Sequence, residues 1–118
     1  HGTPHHAANA MYSQLQLSLD KKAPGRFALG TVEAAPMIED VIARLKHDKS
    51  VKTLVLSPLM IVAGDHANND LADKDDPESW YSQLKAAGYK DVRTFLVGLG
   101  EDADMARVYV SKIKDMMK

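Results

Sequence analysis

Five histidines and no cysteine define the chemistry open to this chain. His1, His5 and His6 crowd the first six residues, His47 stands alone, and His66 sits in a stretch rich in Gly, Asn and Asp. With no thiol, disulfides, thiolate metal sites and cysteine nucleophiles are excluded. What remains is imidazole and carboxylate. A neutral imidazole accepts a proton near pH 7 and ligates divalent metals. Together with a carboxylate it suits a borderline ion such as cobalt, iron, nickel or zinc. His47 follows Lys46 near the end of a predicted helix, where a cation complements the helix dipole, and reads as structural or simply exposed. Isolated surface histidines are the bland alternative for the others.

Two further motifs offer chemistry and fail on inspection. Gly98-Leu99-Gly100-Glu101-Asp102-Ala103 has the spacing of a dinucleotide-binding turn. Its two acids would occupy the place of the phosphates, and the acidic ribose ligand expected about 20 residues on falls beyond the chain. Glu101 and Asp102 read better as acids in the first turn of a helix. The run Asp70, Asp73, Asp75, Asp76, Glu78 resembles a calcium loop only in charge. Counted from Asp73, the sixth position is Glu78 where a glycine is needed, so a solvated loop and a helix cap are expected.

These residues must be positioned by elements that the apolar pattern predicts. Ala8, Met11, Tyr12, Leu15 and Leu19 form one helical face, and Pro24-Gly25 ends it. Residues 26–32 (RFALGTV) read as a short strand that ends at Glu33. Pro36 suits the first turn of a second helix, with Ile38, Val41, Ile42 and Leu45 facing inward. Residues 51–56 (VKTLVL) read as a strand, within which Leu54-Val55-Leu56 reads as buried on both faces, as in a parallel sheet. A long connection from Ser57 to Asp76 follows, of the length that usually carries function. Asp76-Pro77 reads as an N-cap and first helical residue, opening a helix with Trp80, Leu84 and Ala87 that stops at Gly88. Residues 92–97 (VRTFLV) form another strand. A last helix from about Asp102 places Met105, Val108, Tyr109, Ile113 and Met116 inward.

Alternating strands and helices predict an α/β fold, a parallel sheet with helices on both faces in three layers. In such a sheet ligands bind beyond the carboxyl ends of strands. Glu33 and His66 follow predicted strands there, and His1 would do so if a strand of the same sheet preceded it. A His, a Glu and a His from three segments are therefore expected at one edge.

The chain has 118 residues, about one domain's worth. Its 15 Lys and Arg nearly balance 16 Asp and Glu, for a net charge of −1, which argues against a nucleic-acid partner. No apolar run reaches the ~18 residues of a membrane span, and no leader pattern opens the chain. Neither does a Met, so further residues upstream are expected.

The string His1-Gly2-Thr3-Pro4-His5-His6-Ala7 resembles the H-G-T-x-H-x-A motif of the anaerobic sirohydrochlorin cobaltochelatases, in the class II chelatase family. Thr31-Val32-Glu33 with Pro36 is similar to that family's T-V-E-G-x-P segment, with Ala34 where glycine is usual. Residues 58–70 (PLMIVAGDHANND) resemble its P-L-M-x-V-A-G-D-H-A-x-N-D segment, and Gly98-Leu99-Gly100-Glu101 its G-L-G-E. The match is collinear along the whole chain.

The resemblance implies a single α/β domain over residues 1–118, like the C-terminal half of a two-domain chelatase, with a preceding strand and an N-terminal half lying outside it. It implies insertion of Co2+ into sirohydrochlorin, with release of two protons, in anaerobic cobalamin biosynthesis. His1 and His66 would be catalytic and would bind the metal with Glu33, while His5 supports them and Asp65 and Asp70 orient the rings. Co2+ would enter as substrate and no organic cofactor is expected. A ferrochelatase or nickel chelatase of the same fold, or a metal- or tetrapyrrole-binding module without turnover, are the alternatives. The expected partners are the tetrapyrrole and either the N-terminal half or a second copy to complete the cleft, without nucleic acid or membrane. The cytoplasm is the default compartment, with the periplasm the alternative. Leu59, Met60, Ile61 and Val62 read equally as a ring-facing surface or as core, and Arg26, Lys52 and Arg93 are too scattered to assign to the substrate carboxylates.

Overall fold

Apolar periodicity fixes most of the elements where the sequence predicts them. In the computed structural model, which describes residues 1–118, a 3-10 turn at Ala7–Asn9 leads into α1 (Ala10–Lys22). Then come α2 (Ile38–Lys46), β1 (Thr53–Leu56), α3 (Trp80–Ala86), β2 (Asp91–Thr94) and α4 (Ala103–Met116). A five-residue π-helical turn, Ala67–Leu71, lies in the long connection after β1, and a 3-10 turn, Leu99–Glu101, precedes α4. No helix is long and apolar enough to cross a membrane.

β1 and β2 pair in parallel, Thr53 opposite Asp91 and Leu56 opposite Thr94, with α3 as the crossover between them. This is the α/β architecture the sequence predicts. The hydroxyl of Thr53 donates to Asp91 across the register at 2.9 Å, and Arg93 grips both oxygens of the same carboxylate. Arg93, with the Thr53 hydroxyl, holds the Asp91 carboxyl below its ordinary range. Ile38 and Val41 of α2, Leu84 of α3 and Leu71 of the π turn pack with Leu56 and Val92 into the core on one face of the sheet.

Three local expectations are corrected. Residues 26–32 form no strand, because none of their backbone groups is laddered to β1 or β2. The cap of α3 is Ser79, fully buried, whose hydroxyl accepts the Ser82 N–H, while Asp76 caps only a preceding turn through the Glu78 N–H. The face of α4 expected to point inward is open, with Val108, Tyr109, Ile113 and Met116 all at least half exposed. The start of α4 does follow the sequence: Asp102 caps it by accepting the N–H groups of Asp104 and Met105, each at 2.9 Å.

Candidate metal centre

His1 is held from two directions. Its carbonyl oxygen accepts the N–H groups of Val32 and Glu33, each at 3.0 Å. On the other side, the Gly2 N–H donates to the Tyr12 hydroxyl at 3.3 Å, and the Asn9 amide pairs with both backbone groups of Thr3 at 3.1 and 2.5 Å. Asn9 ends the 3-10 turn and Tyr12 lies in the first turn of α1, so the entry to the first helix clamps the loop that carries His1. Gly2 has φ +84, a conformation that disfavours any side chain. A Cβ there would lie 2.9 Å from the Ala34 Cβ and 3.0 Å from the Thr31 Cβ.

Glu33 rides on a turn pinned by Thr31. That residue is buried, and its hydroxyl bonds to both the C=O and the N–H of Ala34 while its own N–H donates to Pro36 at 2.7 Å. His66 opens the π-helical turn after β1. The turn is anchored by buried Ala67 and Leu71 and by Asn68, whose backbone and side-chain N–H groups both donate to the Gly64 carbonyl. π turns of this kind recur at functional sites because they re-aim one or two side chains.

The approach to His66 is set by close backbone packing. Leu99 and Gly100 donate to the carbonyls of Met60 and Ile61 at 2.7 and 2.9 Å. A Cβ on Gly98 would overlap the Ile61 carbonyl and lie 2.9 Å from the Val62 Cα. The G-x-G spacing thus serves a loop-to-loop contact, and the carbonyls of Met60 and Ile61 sit where a dinucleotide turn would present its amides to phosphate. The contact leaves Leu59, Ile61 and Val62 outward, 49%, 49% and 73% exposed.

Residues 65 positions apart in the chain meet here. His1 Nε2 and His66 Nε2 are 3.1 Å apart, with ring planes at 76°. An ion held by both at the usual ~2.0–2.1 Å would subtend an angle of roughly 100°, between the octahedral and tetrahedral values. On the far sides of the rings, His66 Nδ1 lies 2.6 Å from Asp70 Oδ2. His1 Nδ1 lies 3.0 Å from the Gly2 carbonyl and 3.6 Å from Glu33 Oε2. A carbonyl and an ionised carboxylate only accept, so each Nδ1 carries the hydrogen and each Nε2 turns a lone pair toward the other. Two lone pairs at that distance repel unless a cation, a proton or a metal, lies between them.

Of the sequence-predicted residues, His1, His66 and Glu33 come together, with Glu33 on the Nδ1 side of His1. No group of three or more His, Asp or Glu side chains is placed to hold one metal ion together, so the expected three-residue set of His1, Glu33 and His66 reduces to the two facing imidazoles, with Glu33 behind His1. Asp70 contacts His66, whereas Asp65 is exposed and partners neither ring. His6 caps the first turn by accepting the Ala8 N–H, and His5 is exposed at φ +56. The sequence assigns no role to Asn9 or Asn68 and reads Tyr12 only as part of an apolar helical face. Only their spatial pairing, with the loop of His1 and with Gly64, distinguishes them.

The family model for cobalt chelatase (CbiK) matches residues 1–118. Over 113 residues, 96% of this chain, the sequence is 37% identical to a sirohydrochlorin cobaltochelatase of Salmonella typhimurium, covering 41% of that protein. Over 90 residues, 76% of this chain, it is 34% identical to sirohydrochlorin cobaltochelatase CbiKC of Nitratidesulfovibrio vulgaris, covering 30% of it. The chain thus spans about two fifths or less of the length of these curated relatives.

Proposed function

The chain belongs to the cobalt chelatase family, and we propose that it forms the metal-handling wall of a sirohydrochlorin cobaltochelatase. The observation that carries this reading is the pair of imidazole nitrogens facing each other at 3.1 Å. Inserting Co2+ into sirohydrochlorin removes two protons from pyrrole nitrogens, which are very weak acids in water. Proton removal and metal delivery must therefore be coupled. His1 and His66 hold the ion through Nε2. As it passes to the macrocycle, the same two nitrogens become free to take the displaced protons.

Glu33 completes the site from the Nδ1 side of His1, balancing the charge of the arriving cation and giving a proton a way out to solvent. Its side chain is 45% exposed, so that route is open. Two imidazoles, with water in the remaining positions, hold a divalent ion loosely enough for it to leave, unlike a closed four-ligand cage. Leu59, Ile61 and Val62 lie outward on the loop leading to His66 and supply an apolar surface for the flat ring. The cytoplasmic location expected from the sequence goes with this reading.

The rest of the cleft comes from outside these residues. A groove of about 1330 Å³ runs between residues 26–30 and β1. Along 27–31 the polar backbone groups alternate as in a strand. Phe27 and Leu29 bond to the Gln16 side chain and Thr31 to Pro36, while Ala28 and Gly30 have no partner. The next residue on the Ala28–Gly30 side, Val32, donates to the His1 carbonyl as in the last rung of a parallel ladder. We assign the groove to a parallel strand that leads into His1. In the full polypeptide the amides of Gly30 and Val55 should then exchange slowly with deuterated solvent. Exchange at the rate of free chain at both would remove the strand.

The activity itself is tested by metallation. The full polypeptide, given Co2+ and sirohydrochlorin, should shift the absorbance of the macrocycle to that of its cobalt complex well above the spontaneous rate. A protein that binds either substrate without accelerating the shift is a carrier, and the proposal fails.

A further inference from the structure

The two imidazoles of the site are not held alike. The outer nitrogen of His66 faces a carboxylate, Asp70, at 2.6 Å, while that of His1 faces a backbone carbonyl at 3.0 Å with Glu33 at 3.6 Å. A hydrogen bond to an ionised acceptor is shorter and roughly twice as strong as one to a neutral acceptor. Asp70 is placed for this by the π-helical turn, which is fastened beneath by buried Ala67 and Leu71 and leaves His66 and Asp70 together on its outer side.

We propose that Asp70 is a positioning residue that locks His66 in the Nδ1–H tautomer and makes it the anchoring ligand of the pair, with His1 the ligand that lets go first. The inference rests on the chelatase reading and deepens it. Asp70 never touches the ion. By holding the proton on Nδ1 it keeps the Nε2 lone pair aimed at His1, and by drawing on the N–H bond it makes that lone pair a stronger donor. His1 lacks an equally close charged acceptor, so its bond to the ion is the weaker one. Hand-over then has an order: the ion leaves His1 toward the macrocycle while His66 still holds it.

The test has two readouts on the full polypeptide, with Asp70→Ala and Asp70→Asn as the variants. Nitrogen-15 NMR of the His66 ring in alkaline, metal-free buffer reads the tautomer. The unsubstituted protein and Asp70→Asn, whose amide oxygen still accepts the Nδ1–H, should show the Nδ1–H form, and Asp70→Ala a mixture. Co2+ titration followed by visible absorption reads the consequence. Asp70→Ala should bind about 10–100-fold more weakly, with Asp70→Asn in between. His66→Ala should weaken binding more than His1→Ala. An unchanged tautomer in Asp70→Ala, unaltered Co2+ affinity in that variant, or a larger loss at His1 than at His66 would each overturn the proposal. Failure of the unsubstituted protein to bind Co2+ would count against the chelatase reading instead, while the metal-free tautomer comparison still decides the part played by Asp70.

Discussion

Replacing His66 by alanine should cut cobalt insertion by at least the 10²–10⁴-fold, on the order of magnitude, that a lost general base alone removes. The loss should exceed that of a pure acid–base residue, because in the proposed mechanism the same nitrogen also holds the ion. It should come without unfolding: the His66 side chain is 55% exposed, and the turn it opens is anchored by Ala67, Leu71 and Asn68. Thermal stability should therefore stay within about 0.5 kcal/mol of the parent. His47→Ala is the matching control, since His47 is exposed at the end of α2 and should leave turnover untouched. The measurement is the initial rate of metallation beside a melting curve for each variant. Near-normal turnover in His66→Ala would remove His66 from the mechanism.

Gly2→Ala should be nearly as damaging by a different route. The left-handed backbone at φ +84 costs a residue with a Cβ about 1–2 kcal/mol. The new methyl would also sit 2.9 Å from the Ala34 Cβ and 3.0 Å from the Thr31 Cβ. Overpacking of that kind adds about 1–3 kcal/mol or forces the loop aside. Either response moves His1, whose carbonyl is fastened to Val32 and Glu33 on the far side of the same contact. The variant should melt lower and bind Co2+ poorly. Adding Ala34→Gly removes the methyl–methyl overlap and leaves the backbone strain, so the double variant should regain part of the lost stability. No recovery would mean that the φ value and the contact with Thr31, rather than the packing against residue 34, govern the loop.

The residues that meet at the centre were legible in the chain because the rule that brings them together is general. Ligand-bearing side chains of a parallel sheet gather beyond the carboxyl ends of its strands. His66, in the connection after β1, follows it, whereas His1 and Glu33 reach the same place from segments that are not strands in this structure. Which nitrogen of His1 faces Glu33 was not legible. That depends on a turn whose shape is fixed by the Thr31 hydroxyl and by contact with Gly2, residues far apart in sequence.

The same contrast runs through the fold. The periodicity of α2 and the start of α4 at about Asp102 are local, and the structure keeps them, with Asp102 as the cap of α4. Residues 26–32 have strand composition and form no strand here, because a ladder needs a neighbour and the pattern of one segment does not supply it. The cap at Ser79 was missed for a similar reason. Asp76-Pro77 has the better local signal, but burial of the Ser79 hydroxyl, which also donates to the Asp73 carbonyl, moves the helix start three residues on. Gly98-Leu99-Gly100 shows a motif correctly singled out for the wrong reason. Its glycines are demanded by an approach to Ile61 and Val62 that no single-segment reading contains.

X-ray absorption of the full polypeptide loaded with one equivalent of Co2+ addresses the shared ion most directly. Two imidazole nitrogens at about 2.0–2.1 Å, with oxygen donors filling the remaining positions, are expected, and the imidazole signal should halve in either His1→Ala or His66→Ala. A spectrum with oxygen donors alone, or one that neither substitution changes, would mean that the facing rings of residues 1 and 66 do not hold the metal.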